Sequence, residues 1–154
     1  MIRRFETSDA VEVSELIRTT MKICNSNDYP EKYLSELNAV FTSEYVKQRA
    51  EWTHFYVVCK DDKIIGCGAI GLYWDKTDES CFFTIFVLPE YQGKGYGRLI
   101  IETLEQDEFY LRAKRIEIPA SKTGLEFYRH LGYDYKNGVT EPDEEGHYIL
   151  EKFC

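Results

Sequence analysis

The chain has 154 residues, a formal net charge of −8 and five cysteines, at positions 24, 59, 67, 81 and 154. That length is enough for one buried core without covalent staples, and the acidic balance disfavours nucleic-acid binding, which needs a basic footprint. The odd cysteine count, with no Cys-x-x-Cys or Cys/His grouping, disfavours a disulfide framework and a structural zinc site.

In chain order, Ile2 to Phe5 reads as a first strand. It leads into polar residues with no leader-like apolar run, and no segment approaches membrane-spanning length, so a reduced, cytoplasmic setting without a membrane partner is expected. Thr7 or Ser8 can cap a helix in which Val11, Leu16, Ile17 and Met21 fall near helical spacing. Residues 25–29 are turn-rich, and Pro30 suits the start of a helix carrying Tyr33, Leu34 and Leu37 on one stripe. Thr42 opens a third helix over 43–51.

The pattern then changes to β-branched and aromatic residues. Strands are predicted over 54–60 and 63–74, joined at Asp61-Asp62, and over 80–88, ending at Pro89. A helix follows over 97–110, then a strand over 115–118, a helix over 122–131 stopped by Gly132, and two closing strands over 133–136 and 147–153. No repeat or linker interrupts the chain, so a single domain over 1–154 is expected, an α/β arrangement around a central sheet.

The segment Val87-Leu88-Pro89-Glu90-Tyr91-Gln92-Gly93-Lys94-Gly95-Tyr96-Gly97-Arg98 carries the chemistry. A buried strand ends, a glycine-rich turn follows and a helix begins. The first amides of a helix lack partners within it and, with the helix dipole, form an anion site. Gly93, Gly95 and Gly97 permit close backbone approach, and Lys94 and Arg98 add positive charge. A phosphate or pyrophosphate ligand is implied. The spacing is not that of the ATP-binding P-loop, which needs Gly-Lys-Ser/Thr, nor that of the dinucleotide fingerprint, whose third glycine is replaced here by Arg98.

Gln92-Gly93-Lys94-Gly95-Tyr96-Gly97, after Val-x-Pro-Glu-Tyr, resembles the pyrophosphate motif of the GNAT N-acetyltransferase superfamily, Gln/Arg-x-x-Gly-x-Gly/Ala. Ser121 to Tyr133 is similar to the family's later motif: Phe127, Tyr128, Gly132 and Tyr133 match in register, while Ser121 replaces an Asn and Gly124 an Ala. The resemblance implies a twisted mixed sheet of six to seven strands flanked by helices, with two splayed parallel strands holding coenzyme A.

It further implies that acetyl-CoA is the cosubstrate, that no metal takes part, and that an amine of a small molecule or protein attacks directly in a ternary complex. Backbone groups of Ile85, Phe86 and Val87 are then expected to pair with the pantetheine arm, and Gln92 to Arg98, with Lys94 and Tyr96 among them, to hold the pyrophosphate. Ser121 stands at the cofactor-binding Asn position, and Tyr128 at that of the acid that protonates the leaving thiol. The family's usual strand glutamate is replaced by Cys81, which leaves Glu79, on the same strand face, as the candidate base. A CoA-binding sensor or interaction module without turnover is the alternative reading, and a homodimer is compatible with the aromatic excess. The acceptor is expected to be read by residues 25–51 and 137–147, with 21–41 as a lid.

Overall fold

The computed structural model describes residues 1–24 and 30–154, so the turn expected over 25–29 lies outside the described residues. The elements are β1 (Ile2–Arg4), α1 (Ala10–Cys24), α2 (Glu31–Val40), α3 (Ser43–Trp52), β2 (His54–Lys60), β3 (Lys63–Leu72) and β4 (Glu79–Val87). They continue with α4 (Tyr96–Leu104), α5 (Glu108–Leu111), β5 (Arg115–Ala120), α6 (Leu125–His130), β6 (Asp134–Tyr135) and β7 (Tyr148–Phe153). The seven strands form one sheet in the order β1-β2-β3-β4-β5-β7-β6. Among the described residues only the β4/β5 pairing is parallel. This is the mixed sheet flanked by helices that the motifs implied.

Local chemistry explains most boundaries. The Thr42 side chain accepts the Tyr45 amide at 3.2 Å and starts α3. Gly132 takes φ +100° just after α6, a conformation that disfavours a side chain. Two expectations change. The helix expected over 97–110 is broken in two, because the Asp107 carboxylate accepts the Phe109 amide at 2.9 Å and caps α5 afresh. The strand expected to reach Trp74 stops at Leu72, and Trp74 itself sits at φ +54° on the surface.

The core lies on both faces of the sheet. One face takes Val13, Leu16 and Ile17 of α1 with Val46 of α3; the expected Val11 points out instead. The other face takes Ile100, Ile101 and Leu104 of α4. α4 can pack closely because β3 offers Gly66 and Gly68 beneath it: a Cβ on Gly68 would stand 2.5 Å from the Ile100 side chain. That close approach brings the N-terminus of α4 to the end of β4, where the glycine-rich turn connects them.

Candidate active site

β4 and β5 are paired only at their beginnings, through Glu79↔Arg115, Ser80↔Ile116 and Cys81↔Glu117. From Phe82 to Val87 and from Ile118 to Ala120 the two strands have no ladder partner on their facing edges. Backbone N–H and C=O groups demand partners when buried, so a splayed pair presents a row of groups suited to an extended polar chain. The space between them opens into a cleft of about 600 Å³.

β4 also carries a bulge. Phe83 pairs with Ala69 and Phe86 with Cys67, so Thr84 and Ile85 together oppose Gly68. Thr84 sits at φ +56°, a strained conformation for a β-branched residue. The Cys67 thiol donates to the Thr84 carbonyl at 3.2 Å, and burial pushes that thiol up to about 12. The bulge re-aims the backbone in the middle of the cleft wall.

At the end of β4, the Gln92 side chain donates to the Val87 carbonyl at 2.8 Å and fastens the turn to the strand. Gly93 and Gly95 take φ +75° and +92°, and nothing lies within 4 Å of where their side chains would be. Open space above left-handed glycines, followed by a helix whose first residues have no side-chain cap, is a cradle shaped for an anion. Gly97 faces the Phe127 ring, where a Cβ would come within 3.2 Å.

Of the residues expected to hold the cofactor, Ile85, Phe86, Val87, Gln92, Gly93, Gly95, Gly97, Arg98 and Ser121 line this one cleft. Lys94 and Tyr96 do not line it. Lys94 lies over the Tyr91 ring at 5.7 Å, and Tyr96 packs edge-on against the same ring. Arg98 pairs with Glu102 one helical turn on, at 3.0 Å. Ser121 Oγ accepts the Gly124 amide at 3.2 Å, which holds the turn before α6.

Tyr128 lines the cleft from α6 and is 9% exposed. Its hydroxyl makes no hydrogen bond to any described residue, and burial raises its pKa above the ordinary phenol value. Glu79 is elsewhere. It stands at the closed end of the β4/β5 pair, where it accepts Arg115 Nη1 at 2.9 Å, and it does not line the cleft. Arg115 also donates to Glu117 and Glu151, and Lys136 reaches Glu117 at 2.9 Å. Burial opposes the Arg115 charge, but its hydrogen bonds to the three carboxylates overcome it and raise its pKa. Cys81, beside this network, is buried, and burial and then Glu117 push its thiol well above its ordinary range. Neither Glu79 nor Cys81 is thus brought to the cleft, because the sheet is still fully paired where they sit.

Several further cleft residues lie in the two segments expected to read the acceptor, where no local pattern marked them as site residues. Tyr33 of α2 donates to Glu145 at 2.9 Å, joining α2 to the connection before β7. His147 lines the cleft close by. Tyr45 and Arg49 of α3 line it from the side of α1 and α2. The one sequence signal for the last two is the spacing Tyr45, Arg49, Trp52, which puts an arginine between aromatic rings on one helix face. Among the described residues no His/Cys/Asp/Glu group suits a metal, and no helix is long and apolar enough to cross a membrane.

Comparison with known proteins agrees with this geometry. Residues 51–135 match the family model described as an acetyltransferase (GNAT) domain. The whole chain aligns at 29% identity with 77% of an amino-acid acetyltransferase of Mycobacterium tuberculosis. Its fold matches the PaiA N-acetyltransferase of Thermoplasma acidophilum, solved in complex with coenzyme A, with a TM-score of 0.82 at 18% identity over 100% of this chain and 98% of that one. It also matches the N-acetylglutamate synthase of Neisseria gonorrhoeae complexed with coenzyme A and L-arginine, with a TM-score of 0.66 at 19% identity, over 100% of this chain but 33% of that longer one. With more than half its length matched by the family model and a splayed β4/β5 pair ending at a glycine cradle, the chain belongs to the GNAT acetyltransferase family.

Proposed function

We propose that the chain transfers an acetyl group from acetyl-CoA to the primary amine of a small molecule, by direct attack with both substrates held in the cleft. The observation that carries this reading is the unpaired β4 edge from Phe82 to Val87 running straight into the Gly93–Gly95 cradle. Such an edge offers hydrogen bonds to the amide-containing pantetheine arm, and the cradle offers amides to the pyrophosphate. Ser121 and Arg98 flank that end. The cosubstrate supplies an activated acyl group as a thioester; the chain supplies position and polarity.

The Thr84–Ile85 bulge faces an amide toward the thioester carbonyl and stabilises charge developing on its oxygen. The amine nitrogen bonds to the carbonyl carbon, the carbon–sulfur bond breaks, the departing sulfur takes the Tyr128 proton, and the proton shed by the acylated nitrogen passes through solvent to restore the Tyr128 phenol. The unpartnered, buried phenol of Tyr128 suits that role, because it stays protonated across the neutral range. With Glu79 committed to Arg115, the acceptor enters as the free amine, and holding it beside the thioester is the main source of rate. The amino-acid acetyltransferase named among the relatives makes amino acids the first acceptors to try.

Calorimetry with acetyl-CoA tests the reading. The native chain binds, and Gly95→Glu, which places a side chain and a negative charge in the open space above a left-handed glycine, loses that binding. Native protein that is folded and binds no acetyl-CoA overturns the reading. Binding with no transfer to any primary amine restores the alternative of a CoA-binding module.

A further inference from the structure

Arg49 stands out among the arginines near the core. Arg3 pairs with Asp9 and Arg115 with three glutamates. Arg49 is half-buried in the cleft wall, yet no carboxylate of the described residues lies within 4 Å of it. Its guanidinium instead lies over three rings, at 5.1 Å from Tyr45, 5.1 Å from Trp52 and 4.7 Å from Phe83, and donates one hydrogen bond, to the Tyr45 hydroxyl. Rings hold a guanidinium by cation–π attraction and orient its plane. They do not neutralise it, and they satisfy none of its remaining donors, which form a fork matched to a carboxylate. The arrangement is a preset anion receptor.

We infer that Arg49 binds the α-carboxylate of the acceptor, and that the acceptor class is free α-amino acids; this rests on the acetyltransferase reading given above. Position argues for it. Phe83, beneath the guanidinium, is the residue before Thr84, and Thr84 begins the bulge at which the thioester carbonyl is held. An anion on Arg49 therefore lies close to the reacting amine, as in a molecule whose amine and carboxylate share one carbon. The phosphates of the cosubstrate are taken at the other end, by the glycine cradle. Charge agrees as well: of the charged side chains lining the cleft, Glu145 already accepts from Tyr33 and Arg98 already pairs with Glu102, which leaves Arg49 for a monoanion. Thr20 of α1, 3% exposed, lines the same cleft with a hydroxyl that has no partner among the described residues, so the lining has polar capacity to spare.

The test measures CoA thiol release with acetyl-CoA and the L-amino acids, each against its own α-carboxamide and its decarboxylated amine. Rates are compared per free amine, because the carboxyl group changes the amine pKa. The native chain favours the acid over the amide by about 100-fold in kcat/KM, the size expected when a charged partner is left unpaired. Arg49→Met reduces that ratio to about 3-fold or less, through the acid's KM, and leaves acetyl-CoA affinity unchanged; Arg49→Lys, which keeps the charge without the fork, falls between. The inference is overturned if native protein acetylates amides or plain amines as well as acids, if Arg49→Met keeps the acid preference, or if acetyl-CoA binds and no acid turns over. In all three cases the cofactor reading still stands. Absence of acetyl-CoA binding removes that reading and this one together.

Discussion

The same two strands, β4 and β5, build opposite kinds of structure along their length. Over Glu79–Cys81 and Arg115–Glu117 they are laddered, and their side chains on one face join an ionic network of Arg115 with Glu79, Glu117 and Glu151. Directly beyond Cys81 and Glu117 they part, the wall is strained at Thr84, and the hydroxyl of Tyr128 faces the gap without a partner among the described residues. The difference teaches that a cleft between neighbouring strands needs a clamp. An open edge inside a sheet forfeits hydrogen bonds, and the parallel pair stays in register because its closed end is fixed by both backbone and charge. Substitutions at the two ends are therefore expected to separate stability from chemistry.

The largest effect is at the closed end. Arg115→Leu leaves Glu79, Glu117 and Glu151 crowded together with only Lys136 to offset them. Breaking a buried network by removing one partner costs about 3–5 kcal/mol, and urea unfolding is expected to show a loss of unfolding free energy of that size. A loss below about 1 kcal/mol, the range of an exposed pair, removes the clamp from the comparison.

Next is Tyr128→Phe, at the open end. It deletes a hydroxyl that has no protein partner, so stability is expected to hold or rise slightly. Turnover is expected to fall at least about tenfold, with acetyl-CoA affinity unchanged, as for loss of a general acid. The pH profile adds a check on sign. Because burial lifts the Tyr128 phenol above its ordinary value, the proton donor is retained throughout the range where amines lose their protons. Native activity should therefore rise with pH and level off, with no descending limb below about pH 10. A descending limb between pH 7 and 9 in native protein assigns the acid to another group.

How much of this was legible in the sequence follows from the kind of signal each part leaves. The glycine cradle and Tyr128 sit in short local patterns, strand–turn–helix and Phe127-Tyr128…Gly132-Tyr133, where spacing dictates geometry, and the structure brings them to one cleft. The element order was legible for the same reason, since turn residues and hydrophobic periods are local. That Glu79 stands outside the cleft was not legible, because alternation along a strand tells which face a side chain takes but not where a neighbouring strand peels away. The splay begins after Cys81, and nothing in the sequence marks that point. That Lys94 does not line the cleft was not legible either, because charge near a turn says nothing of direction, and its ammonium lies over Tyr91. Arg49 was missed because its meaning depends on Phe83, a residue 34 positions away on another element.

The smallest expected effect decides most sharply what Glu79 does. Glu79→Gln keeps an oxygen that accepts from Arg115 and removes one of the three negative charges around it. Glu117 and Glu151 still hold the guanidinium, so the loss is one charge-assisted bond weakened to a neutral one, about 0.5–1.5 kcal/mol of stability. Turnover is expected to stay within about twofold of native, because the carboxylate belongs to the clamp and does not line the cleft. A general base contributes about 10²- to 10⁴-fold, so the two roles differ by far more than any error of measurement. A hundredfold fall in turnover with unchanged stability would move Glu79 from the clamp to the chemistry, and would mean that the strands part earlier in the working enzyme than the Cys81↔Glu117 pairing allows.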